Sequence, residues 1–168
     1  AMRFEALEPR ILLSADLTLA APVGTAIDAT LRVDDAGGAP MLRLVDNQSS
    51  TILDERFIDQ DIDVHVLGNE QSDRLKIGFD RASVAHQIRV NFHGGDGGAD
   101  ELIGADAATI WLLDAPGAGS NDDGAFTGIE RVRGGAADDT FVVLDASSTT
   151  AAEGGEGNDT LVAADVDN

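Results

Sequence analysis

Cysteine is absent from all 168 residues. Disulfides, thiolate metal sites and a cysteine nucleophile are therefore excluded. Aromatic residues make up only 4% of the chain, against 43% hydrophobic residues overall and 19 glycines. That balance suits thin, stacked layers better than one broad globular core. Basic residues are also scarce. Eleven Lys and Arg stand against 31 Asp and Glu, a net charge of −20. Nucleic acid and anionic lipid surfaces are disfavoured partners, because phosphate binding needs clustered cations. So large a charge makes the compact state repel itself unless cations neutralise it. The alternative is a solubilising or salt-adapted surface. No apolar run reaches membrane-spanning length. The start is a poor Sec signal, with Glu5 and Glu8 in the n-region and Asp16 interrupting the apolar stretch.

The length suits one domain with a real core. Composition divides it into 1–25, 26–92 and 93–168. In the first part Phe4, Leu7 and Ile11 recur at helical spacing, with Pro9 limiting where a helix starts. In the second, Leu31–Val33, Met41–Val45, Ile62–Val66, Leu75–Phe79 and Ile88–Phe92 alternate as half-buried strands do. Residues 34–40 read as a hairpin loop. Further strands are expected at 109–113, 127–132 and 140–144.

The third part is rich in Gly and Asp and repeats itself. Gly154-Gly155-Glu156-Gly157-Asn158-Asp159-Thr160-Leu161-Val162 fits the nonapeptide G-G-x-G-x-D-x-U-x throughout, where U is a large apolar residue. The copy from Gly134 to Val142 has Ala137 at one glycine position. The copy from Gly95 to Ile103 has Asp96 at another. Degenerate copies run from Gly117 to Asp122 and from Gly68 to Leu75. After the first gap, the key aspartates recur about every 20 residues, one coil of a β-solenoid. The expected fold is all-β: a right-handed parallel β-solenoid, β-roll or β-helix-like, with a short N-terminal helical or capping segment. Whether 26–92 forms its first coils or a separate β cap is left open.

The glycines allow tight turns that aim carbonyl oxygens inward, and each aspartate adds a carboxylate. Oxygen-only ligands in a flexible cage suit calcium, which takes six to eight of them. Asp139 and Asp159 form the preferred pair, and Asp100 comes next. The competing reading is a Gly-rich corner without metal. Asp59–Asp63 resembles an EF-hand start, but Val64 stands where that loop needs glycine. His65, His86 and His93 have no zinc-type spacing, and Trp111 reads as core. No nucleophile elbow, zincin helix or phosphate loop is present, and no pair of carboxylates is singled out for acid/base work. The 168 residues read as a non-enzyme.

Residues 94–103 and 134–162 resemble RTX, or haemolysin-type, calcium-binding repeats. The resemblance implies calcium between stacked turns of a parallel β-roll. It implicates Asp100, Asp139 and Asp159, with turn carbonyls at or near Gly95, Gly97, Gly134, Ala136, Gly154 and Glu156. Residues 4–14, Phe-Glu-Ala-Leu-Glu-Pro-Arg-Ile-Leu-Leu-Ser, resemble the LEPR-XLL motif of very long, repetitive bacterial proteins. Together these resemblances imply a calcium-stabilised structural module near the N-terminus of a secreted or cell-surface adhesin or biofilm matrix protein. Type I secretion, with its signal outside this fragment, and cell-surface or matrix partners would follow. The alternative implied is an accessory segment of a secreted enzyme whose catalytic domain lies elsewhere.

Overall fold

The computed structural model describes residues 16–35, 37–145 and 150–163. The helical face expected from Phe4, Leu7 and Ile11 lies outside them. Among the described residues every regular element is a strand, apart from one 3-10 turn at Arg81–Ser83. The all-β expectation therefore holds.

The chain opens with β1 (Leu17–Ala20), β2 (Asp28–Asp35), β3 (Pro40–Asp46) and β4 (Ile52–Phe57). It continues through β5 (Ile62–Leu67), β6 (Arg74–Ile77), β7 (Ile88–His93) and β8 (Glu101–Ile103). Then come β9 (Ile110–Ala115), β10 (Ala118–Asn121), β11 (Gly124–Thr127) and β12 (Arg131–Arg133). Last are β13 (Thr140–Val143), β14 (Ala151–Glu153) and β15 (Thr160–Ala163).

Two sheets result. The first has the order β1-β5-β7-β11-β10-β9-β13-β15, and the second β14-β12-β8-β6-β2-β3-β4. Both are mixed, which departs from the uniformly parallel pairing expected. β1, β5, β7 and β11 run parallel, as do β9, β13 and β15. In the second sheet β2, β6, β8, β12 and β14 run parallel. The antiparallel pairs come from hairpins: β2-β3-β4 at one end, and β9-β10-β11 in the middle of the first sheet. Short loops force those reversals, since only a long crossover can make neighbours parallel. The β2–β3 loop falls where residues 34–40 predict it.

Register stacks like on like. Ala29, Leu75, Leu102 and Val132 are successive partners across the second sheet. Leu19, Val66, Phe92 and Phe126 are the matching row of the first. The two inner faces meet in one core cluster that reaches from Leu17 to Phe141. Trp111 is fully buried there, with its ring stacked on Phe141 at 5.7 Å. Each such side chain contributes roughly 1.5–3 kcal/mol by leaving water. Strands on either side of the 92/93 composition boundary share both sheets and this core.

One expected strand is split. Residues 127–132 read as continuous, yet Gly128 has φ +64° and turns the chain from the first sheet to the second. β4 was not expected. Its Ile52, Leu53 and Phe57 are exposed at the edge of the second sheet, so its sequence lacks the alternation of a half-buried strand.

Candidate functional site

The chain passes between the sheets along the two edges of the sandwich. On one edge, residues 21–27, 68–73, 94–100 and 128–130 lead from the first sheet to the second. On the other, residues 58–61, 78–87, 104–109, 134–139 and 154–159 lead back.

One position in these turns carries a carboxylate that reaches into the neighbouring turn. The N–H of Asp73 donates to Asp100 Oδ1 at 2.7 Å, and the N–H of Asp100 to Glu130 Oε2 at 2.8 Å. The N–H of Ile27 donates to Asp73 Oδ1 in the same way. On the opposite edge Thr109 N–H donates to Asp139 Oδ1 at 2.8 Å, and Asp139 N–H to Asp159 Oδ1 at 2.9 Å. In these five bonds the carboxylate takes the N–H of the same position one turn earlier. Between β5 and β7 the direction is reversed, and Gln87 N–H donates to Asp61 Oδ1 at 2.9 Å. The main chain adds a second tie at each step, as Glu101 N–H donates to Asp73 O and Thr160 N–H to Asp139 O. Ile27 and Thr109 end the two runs and carry no carboxylate themselves.

In Asp73 and Asp139 the second carboxylate oxygen folds back on its own turn. Asn69 N–H donates to Asp73 Oδ2 at 2.7 Å, and Gly135 N–H to Asp139 Oδ2 at 2.9 Å. Asp100 Oδ2 does not. It is buried and has no hydrogen-bond partner among the described residues.

Glycine is required five or six residues before Asp73, Asp100 and Asp139, by close approach. A Cβ on Gly134 would lie 2.1 Å from both Asp139 Oδ2 and Gly154 O. On Gly94 it would lie 2.1 Å from Gly128 O and 2.6 Å from Asp100 Oδ2. Gly68 repeats the arrangement with Gly94 O and Asp73 Oδ2. Each glycine thus leaves a small cradle on which a carboxylate oxygen and a carbonyl oxygen of the next turn converge.

The electrostatics are one-sided. Asp73, Asp100 and Asp139 are 0–1% exposed, and none of them pairs with Lys or Arg among the described residues. Burial pushes the Asp100 carboxyl up to about 6, with Glu130 and Asp73 adding repulsion and the Asp73 N–H opposing. Burial also raises Asp139, against the pull of its N–H donors at Gly135 and Thr109. Buried carboxylates in this state favour protonation or a cation.

The residues singled out from the sequence fall into two groups. Asp139 and Asp159 are brought together, with Gly134 and Gly154 beside them. Asp100 lies on the opposite edge, stacked with Asp73 and Glu130. Gly95 is not the counterpart of Gly134 and Gly154. Gly94 is, so this turn is one residue longer, and Gly95 and Gly97 instead pack on Asn69 and Glu70. Ala136 and Glu156 are exposed at their turn tips. Asp122 is no rung: it sits at the tip of the β10–β11 hairpin and accepts from Ile110 N–H. Asp73 is a full rung, although its copy is degenerate. The five-residue step from Gly68 to Asp73, equal to that from Gly134 to Asp139, is the signal that marks it. Glu130 leaves no such signal, because its turn is shorter and a longer side chain makes up the reach.

Among the described residues no three carboxylate or imidazole groups converge closely enough to hold one metal ion by side chains alone. A cation in these turns would depend on backbone carbonyls. No protein-family profile, curated protein or solved structure matches the chain.

Proposed function

We propose that the chain is a structural module, a flattened β-solenoid whose Gly/Asp turns bind calcium, within a large secreted or cell-surface adhesin or matrix protein. The solenoid reading is supported by the parallel, in-register rows of both sheets, with β3, β4 and β10 as hairpin insertions. The single observation that carries the calcium reading is the glycine cradle. There a buried carboxylate oxygen and a carbonyl oxygen converge without a basic side chain to balance them.

The residues present fit a hard, oxygen-seeking cation. Asp139 and Asp159 would hold it on one edge with Gly154 O. Asp73 and Asp100 would do so on the other, with Gly94 O and Gly128 O. The partnerless Oδ2 makes Asp100 the most acceptor-rich of these groups. Calcium would supply charge neutralisation and tie adjacent turns together. The chain's own contribution is the ladder, which fixes the spacing of the turns. The surface or matrix setting rests on the resemblance of residues 4–14 and of the repeats.

Binding to the folded state alone stabilises by mass action, about 2.7 kcal/mol at a hundredfold excess over Kd. Thermal melts with calcium and with chelator test the reading. A higher Tm in calcium, reversed by chelator and reduced in D100N and D139N, is expected. Identical melts in both conditions would sink the calcium reading and leave the two-sheet fold intact.

A further inference from the structure

The outer face of the second sheet carries two rows of side chains that the register sets side by side. In one, Arg74, Glu101 and Arg131 are successive partners on β6, β8 and β12. Glu101 stands between the two cations and meets both, 3.0 Å from Arg74 and 3.9 Å from Arg131. In the other row, Lys76, Ile103 and Arg133 are the successive partners. The flanking cations recur, but the middle position is apolar. Glu153 is the register partner of Arg133 on β14, yet it lies 3.4 Å from Arg131 instead. The Arg133 guanidinium therefore makes no ion pair among the described residues. Lys76 has only Asp106, at 3.9 Å. In a chain with 11 basic and 31 acidic residues, two neighbouring cations without a carboxylate between them are an exception.

Lys76, Ile103 and Arg133 line a cleft of about 330 Å³, bordered by the Gly134–Ala136 turn. The two cations stand two strands apart, about 10 Å. A carboxylate above Ile103 would lie between them as Glu101 lies between Arg74 and Arg131. A guanidinium takes a carboxylate bidentately, and an ammonium adds a second charge. Asp106 and Glu156 line the same cleft. They repel a phosphate dianion or a run of acidic side chains, but accept hydrogen bonds from hydroxyl groups. A ligand that satisfies both halves carries one carboxylate and several hydroxyls.

We propose that this cleft binds a sugar acid, a hexuronate residue. Arg133 and Lys76 receive its carboxylate over Ile103, and its hydroxyls donate to Asp106 and Glu156. The ligand carboxylate does in this row what Glu101 does in the next. None of the ladder carboxylates lines the cleft, so this site and the calcium reading can fail separately.

The test is an NMR titration of the full chain at constant ionic strength. The probes are methyl β-D-glucuronide, its neutral counterpart methyl β-D-glucoside, and Nα-acetyl-glutamate methylamide. Saturable shifts at residues 76, 103, 106, 133–136 and 156 are expected with the glucuronide alone. R133Q should weaken binding by about tenfold. Ile103→Glu supplies a carboxylate between the cations and should abolish binding. R133Q carries the test if that variant does not fold. R89Q removes an exposed cation of the first sheet and should bind as the wild type does, which separates the site from the overall charge. Unsaturable shifts, an unchanged affinity in R133Q, or equal binding of the glucoside would overturn the proposal. Equal binding of the glutamate probe would also overturn it, in favour of a partner protein's carboxylate.

Discussion

The backbone N–H of Asp139 donates to Oδ1 of Asp159, 2.9 Å away and 20 residues later in sequence. The same bond joins Asp73 to Asp100 across 27 residues. The repeat's aspartate is therefore a strut between turns even without a metal. It satisfies an N–H that the sandwich edge would otherwise leave bare.

Removing a strut should cost according to how many donors it leaves. Asp139→Ala strands the N–H groups of Thr109 and Gly135, and should cost about 3 kcal/mol in urea unfolding. Asp159→Ala strands only Asp139 N–H at an exposed end and should cost about 1 kcal/mol. Equal costs would contradict the directional ladder.

Metal-free stability should depend on pH through Asp100. Its folded carboxyl is pushed up to about 6, above the ordinary value of 3.8. The folded state therefore holds more protons than the unfolded state between these values, and stability falls as pH rises through that window. Unfolding with chelator present should show a more stable protein near pH 4.5 than at pH 7, with little change above 7. In D100N the slope should be shallower, with the residue from Asp139, which is shifted the same way.

The glycine cradles should not tolerate a methyl group. Gly134→Ala places a Cβ 2.1 Å from Asp139 Oδ2 and Gly154 O, so one of them must move. A loss of about 1–3 kcal/mol is expected, together with loss of any calcium-induced rise in Tm. Asp139→Asn keeps the volume but leaves one acceptor oxygen for the N–H groups of Thr109 and Gly135, so it should lose one of the two bonds, about 1–2 kcal/mol, without the steric clash of G134A. A thermal melt of both variants in chelator decides this.

Trp111 should behave as core. Its emission should be blue-shifted and insensitive to iodide, since the residue is 0% exposed. Its Nε1 has no hydrogen-bond partner among the described residues, so Trp111→Phe loses volume but no bond. Truncation to alanine should cost about 3–5 kcal/mol, and the phenylalanine variant clearly less.

Much of this was legible in the residues themselves. Alternation at Ile62–Val66 and Ile88–Phe92 reports one buried face, because successive strand side chains point opposite ways. The loop at 34–40 and the recurring Gly and Asp are likewise local facts. They sufficed for the all-β class, for the turns and for the pairing of Asp139 with Asp159. They did not distinguish Gly94 from Gly95, since either glycine fits a pattern and only packing against Asp100 selects one. Nor did they separate Asp122 from the rungs.

What the chain order alone determined is where strands end and turns begin, since periodicity and glycine act within a few residues. What only the tertiary structure decided is which turns share an edge. Asp100 and Asp139 look like members of one series, yet they stand on opposite edges, because the chain crosses from one sheet to the other between them. Glu130 joins Asp73 and Asp100 for the same reason. A rung is defined by the N–H it meets in the neighbouring turn, and no short-range pattern records that neighbour.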